Sequence, residues 1–286
     1  APLWQGECLQ GCQILLHAEQ GFGDSLQFIR FASQLAAQGA VVTVLAPPPL
    51  QRLFTTVAGV IHSLTDLPAN AHFDYHCPLA SLPHRLGITE ETIPSAPYFS
   101  VPPEEASRQG GPIRRLMWEG RRPARRVVGL VWSGAPRLSH VEAHAIDQRR
   151  SMPLADLAPL FEVPDTVFVS FQLNGVEQIA EAALPIHDGT HGIRDFADTA
   201  ARLLGIDLLI CVDTSIAHLA GGLGLPVWMM SRFDGCWRWL EQRNDTPWYP
   251  TMKIYRQPRP GDWAGLVNVV KEDLQSYIPA LLADAS

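Results

Sequence analysis

Residues 13–45 run strand, glycine turn, helix, strand, and that order leaves the chain few folds. Residues 13–18 (QILLHA) read as a buried strand, and Gly21, Phe22 and Gly23 as a turn. Residues 25–38 read as a helix with Leu26, Ile29 and Leu35 on its apolar side, closed by Gly39. Residues 41–45 (VVTVL) form the next strand. A helix between two strands implies a crossover, so the strands lie parallel. Their apolar, β-branched content suits a sheet covered on both faces.

The pattern continues and then restarts. A short helix is expected over residues 50–57, with weaker strands at 60–64 and 73–76. Residues 93–123 are rich in Pro, Gly, Glu and Arg and read as an interdomain linker with a short helix at 113–118. Residues 126–132 (RVVGLVW) are again a strand, followed by a turn at 133–136. Residues 137–150 are polar without periodicity and read as a loop. Further on come a helix at 153–161, a strand at 166–171, a helix at 195–204 and a strand at 208–212. They are followed by a helix at 215–223 closed by Gly224, strands at 227–230 and 252–255, and an amphipathic helix at 263–282. The 286 residues fit two domains at roughly 100–200 residues each. The expectation is an α/β protein with two Rossmann-like halves, residues 1–122 and 123–262. The helix beyond 263 is expected to pack back towards the first half.

The net charge of −7 argues against a general nucleic-acid binder, which needs a basic surface. Arg114, Arg115, Arg121, Arg122, Arg125 and Arg126 form one local basic run, either a solvated linker flank or a patch for an anionic partner. No apolar run reaches the ~20 residues of a transmembrane helix, and residues 1–20 lack the pattern of a secretory leader. The first residue is Ala1, which reads as a piece of something longer. The five cysteines include no C-x-x-C pair, which points to free thiols and a cytoplasmic protein. His140 and His144 flank a glutamate in the wrong place for a zinc helix, and His187 and His191 sit in a glycine-rich stretch, so no metal is expected.

Four constellations carry chemistry. Gly21, Gly23 and Asp24 follow the first strand, where α/β sheets place ligands; Asp24 reads as a helix cap or as a catalytic base. Asp213, Thr214, Ser215 and His218 follow a continuous apolar strand. Amides at a helix start favour an anion, so a phosphate fits there; a capped core helix with a hydrogen-bonded histidine is the other reading. Trp132, Ser133 and Gly134, with Arg149 and Arg150 downstream, read as a diphosphate clamp or as a surface turn beside a solvated basic pair. Trp237, Arg238 and Trp239, then Trp248 and Tyr249, read as a stacking platform or as core.

Four segments carry a resemblance: GFGDSLQFIRF (21–31), VGLVWSG (128–134), VDTSIAHLAGGLGLPVW (212–228) and WRWLEQRNDTPWYPTMKIYRQPRPGDW (237–263). Together they resemble the bacterial glycosyltransferase domain found C-terminal to tetratricopeptide repeats, and more distantly the ADP-heptose:lipopolysaccharide heptosyltransferases. The resemblance implies a GT-B fold and a metal-independent, inverting glycosyltransferase that needs no cofactor. The first half would serve the acceptor, a protein or glycan, and the second the nucleotide-sugar donor. Asp24 matches the family's base. Trp132, Ser133, Gly134, Arg149, Arg150, Gln172, Asp213, Thr214, Ser215 and His218 fall on the donor side. A heptosyltransferase lysine near the diphosphate has no counterpart here, and Arg149 or Arg150 would replace it. The alternatives are a non-catalytic nucleotide-sugar or phosphate-binding module and a sugar-nucleotide epimerase.

Overall fold

The computed structural model describes residues 1–120, 123–135 and 141–279, with the side chains of 141–143 outside the description. Arg121, Arg122, Pro136, His140 and the end of the expected last helix therefore lie outside the described residues. The first lobe holds β1 (Gln13–His17), α1 (Phe22–Phe28), α2 (Ala32–Ala37), β2 (Val41–Leu45), α3 (Pro48–Phe54), β3 (Val60–Leu64), β4 (Tyr75–Pro78) and α4 (Leu82–Arg85). α5 (Pro103–Arg115) crosses to the second lobe. There follow β5 (Arg126–Val131), α6 (Val141–Arg149), β6 (Thr166–Ser170), α7 (Val176–Ala182), β7 (Ile186–Asp188) and α8 (Phe196–Leu203). β8 (Leu208–Val212), α9 (Ser215–Gly222), β9 (Val227–Ser231), β10 (Met252–Arg256) and α10 (Trp263–Ser276) complete the chain.

Both sheets are parallel, as the strand–helix alternation requires. The first has the order β3-β2-β1-β4 and the second β10-β9-β8-β5-β6-β7. In each, the winding direction reverses once, beside β1 and between β5 and β8. Such switch points open a crevice beyond the carboxyl ends of the strands. The loops leaving β1, β5 and β8 carry Gly21, Ser133 and Asp213, so the topology brings these positions to two crevice mouths. β5 and β8 are buried along their whole length, which explains their unbroken apolar runs. One apolar cluster continues from Leu26 and Phe28 of the first lobe to Ile216, Trp239 and Trp248 of the second, so the lobes share a dry contact.

Several expectations are corrected. The helix expected at 25–38 starts at Phe22 and is split by a 3₁₀ turn at Ile29–Phe31. The expected linker contains α5, started by Pro103 at its first position. Its Gly110 serves close packing: a Cβ there would stand 2.8 Å from the Ala201 carbonyl oxygen on α8. Residues expected as a loop form α6, which buries Asp147 against Arg150 at 2.6 Å instead of an apolar stripe. The segment Leu154–Glu162 is 3₁₀, with Pro159 inside it. Arg114 and Arg126 turn inward, to Asp207 and to the α10 carbonyls, and do not join a solvated flank. The same capping holds α10 on the second lobe, where Leu266, Val270 and Leu274 pack with Leu157 and Leu160.

Candidate functional site

The site begins where α1 and α9 meet. Gly21, in extended conformation, caps α1, and Asp24 stands at the third helical position. Its Oδ2 accepts the Gly21 amide at 3.1 Å, so the carboxylate serves the helix start from inside the helix and not as the cap residue. The other oxygen, Oδ1, is held by the guanidinium of Arg238, and the carboxylate keeps about 21% of its side-chain surface exposed. Gly23 lies against His218: a Cβ added there would stand 3.0 Å from His218 Cδ2 and 3.7 Å from Ser215 Cα. Only glycine lets the two helix starts approach this closely without displacement.

The α9 start leaves polar groups without protein partners. Thr214 caps it in extended conformation without a side-chain cap bond, and its buried Oγ1 has no protein partner. The first amides of the helix are likewise left without intrahelical acceptors. Arg150 donates to the Asp213 carbonyl at 2.8 Å, and its guanidinium lies over Gly134, where a Cβ would come within 2.7 Å of Nε. Gly134, Arg150, Asp213 and Thr214 thus converge. Arg149 does not join them; it points to Asp234 at 2.9 Å and is 58% exposed. The Gln172 carboxamide accepts the amides of Trp132 (3.2 Å) and Ser133 (3.0 Å), which shapes the loop after β5. The Trp132 indole is buried and donates to Gln178 at 3.0 Å, so only its backbone borders the crevice loop.

His218 takes the hydrogen-bonded core reading. Its Nδ1 is 2.8 Å from the Tyr249 hydroxyl, and its ring stacks on Trp239 at 5.3 Å and 24°. Burial first, then the guanidinia of Arg238, Arg30 and Arg150, push its pKa well below that of an ordinary histidine. It is therefore neutral at pH 7, and three arginines make its surroundings electropositive. Of the aromatic segment, Trp239, Trp248 and Tyr249 are core, while Trp237 is 62% exposed.

Sequence reasoning missed two of those arginines as site residues. Arg30 is fully buried with no carboxylate. It donates to the carbonyls of Gln27, Pro94 and Trp248 and to the Tyr98 hydroxyl, and lies 4.7 Å from the Tyr249 ring centre. Its signal was a cation on the apolar side of a helix. Arg238 lies over Trp237 at 4.7 Å and donates from Nε to Gln27 Oε1 at 2.7 Å. Its signal was a cation between two tryptophans. Among the described residues no group of three or more His, Cys, Asp or Glu converges as a metal site, and no helix is long and apolar enough to cross a membrane.

With this geometry in place, comparison with known proteins decides the architecture. A glycosyl transferase family 9 structure from Veillonella parvula superposes with a TM-score of 0.64 at 11% identity, covering 96% of this chain and 97% of that one. The ADP-heptose lipopolysaccharide heptosyltransferase II of E. coli gives 0.60 at 14% identity, covering 96% and 100%. The fold is GT-B. No protein-family model matches the chain. A curated relative, Protein FlbA of Caulobacter vibrioides, is 24% identical over 96% of this chain, which spans about half (48%) of that relative's length.

Proposed function

We propose that the chain transfers a sugar from a nucleotide-sugar donor to an acceptor hydroxyl, on a protein or glycan, with inversion and without a metal ion. One observation carries the reading: Asp24 on α1 and the partnerless Thr214 hydroxyl at the α9 start lie on two helix starts that touch at Gly23 and His218. The base and the anion site of this reading thus stand on neighbouring helix starts.

In this reading the donor diphosphate sits on the α9 amides, with the Thr214 hydroxyl and Arg150 as further donors. Asp24 takes the proton of the acceptor hydroxyl, a step worth roughly 10²–10⁴-fold. The acceptor oxygen bonds to the anomeric carbon from the face opposite the diphosphate, and the electron pair of the breaking C–O bond leaves with it. Arg150 and the helix start meet that charge with fixed dipoles and need little reorganisation. Arg30 and Arg238 add positive potential, which supports a mechanism that uses no cation. The cytoplasm, where nucleotide sugars are at hand, is the proposed place of action.

A thermal-shift screen of UDP-, GDP-, ADP- and CMP-sugars tests the donor site. A ligand at 100 times its dissociation constant adds about 2.7 kcal/mol of stability. A flat response to all four classes would remove the donor-binding reading. Binding without release of sugar to any acceptor would favour a non-catalytic module, and epimerised donor would favour an epimerase.

A further inference from the structure

Asp24 is held at both of its carboxylate oxygens. One carboxylate oxygen accepts the Gly21 amide and the other is paired with Arg238. Each oxygen keeps a further lone pair, but a hydroxyl that reaches Oδ1 shares it with the guanidinium, so the ion pair must loosen for a proton to be taken there. The Gly21 amide belongs to the helix start and cannot leave without fraying it. Arg238 can leave, because it comes from the other lobe, on the connection between β9 and β10, and is held by side-chain contacts: Gln27 Oε1, Cys236 Sγ at 3.2 Å and the face of Trp237. His218 faces α1 at Gly23 and is neutral.

Arg238 also borders a groove of about 480 Å³ between the lobes. Gln20, Phe28 and His84 of the first lobe line it with Trp237, Arg238 and Trp248 of the second. A chain entering this groove meets Arg238 before it meets Asp24. Its oxygens can accept the guanidinium hydrogens that Asp24 gives up, so the ion pair is exchanged and not merely broken.

We propose that Arg238 is a positioning residue that holds Asp24 until an acceptor, arriving through the groove beside Trp237, draws the guanidinium away. The proposal rests on the reading of Asp24 as the base. It gives the pair a purpose: without acceptor, bound donor is protected from water. In the unwanted reaction water's oxygen bonds to the anomeric carbon, its proton passes to Asp24, and the C–O electron pair leaves with the nucleoside diphosphate. Water's other hydrogen stays on the new anomeric hydroxyl, and Asp24 later passes its proton to solvent.

The test is acceptor-free hydrolysis of ADP-heptose, UDP-glucose and GDP-mannose, read as nucleoside diphosphate released, beside the melting shift each donor causes. Arg238→Gln is expected to hydrolyse the bound donor roughly tenfold faster than the unaltered chain, a fraction of what a general base supplies. The added Asp24→Asn change should cancel the gain. Arg238→Lys, which keeps the charge but not the reach to both Asp24 and Gln27, should fall between and serves if the glutamine variant does not fold. A purely structural Arg238 would lower hydrolysis or leave it unchanged. Hydrolysis no faster than in the unaltered chain, at an undiminished melting shift, overturns the proposal. A gain that survives Asp24→Asn also overturns it. Loss of the melting shift with every donor in the unaltered chain overturns the donor-site reading instead.

Discussion

Gly23 of α1 faces His218 of α9 so closely that a single added carbon would stand 3.0 Å from the imidazole Cδ2. The contact joins the two lobes at the helix starts that carry Asp24 and Thr214. Gly23→Val adds two further methyls that find no room, because His218 is itself pinned by Trp239 and Tyr249. We expect a loss of about 1–3 kcal/mol from overpacking. Urea denaturation checks it, with Gly111→Val as the control, since a Cβ at Gly111 meets nothing within 4 Å.

Thr214→Val separates binding from stability. The hydroxyl is buried without a partner, so its removal should leave the melting temperature unchanged or raise it slightly. Donor affinity should fall about tenfold or more, the worth of a hydrogen bond to a charged group. Isothermal titration with a nucleotide sugar reads the affinity. Unchanged affinity would place the diphosphate elsewhere.

His218 sets a pH dependence. Its pKa lies well below the unfolded value of 6.5, so the unfolded chain binds the extra proton as pH falls. The stability it contributes is whole above about pH 6.5 and is lost below it. Between pH 6.5 and 5 the unaltered chain should lose up to about 1.4 kcal/mol per pH unit more than His218→Phe. Denaturant unfolding at a series of pH values measures the difference.

The sequence exposes those parts of the fold that follow from local pattern. The parallel order of β1 and β2 follows from the helix between them, and the buried runs of β5 and β8 announce a covered sheet. α6 was hidden because, among its described side chains, the buried one is Asp147, whose ion pair leaves no trace in hydropathy. α5 was hidden because its glycines and Pro112 look like linker composition, though Gly110 is a packing contact. α7 and β7 are short and mostly exposed, so neither period is visible. At the site, Asp24, Thr214 and Arg150 were legible from turns after strands. Arg30 and Arg238 were not, because their partners lie in the other lobe, on Trp248 and on Asp24. Arg149 and Arg150 are adjacent in sequence, yet only Arg150 turns to the α9 start.

Sugar transfer by Asp24→Asn is the most direct measurement of what the Asp24 carboxylate does. The amide keeps the side chain's shape and can still accept the Gly21 amide, so the donor should raise the melting temperature as it does in the unaltered chain. Transfer to acceptor should drop by roughly 10²–10⁴-fold. Transfer at the unaltered rate with the donor still bound would contradict the assignment of Asp24 as base.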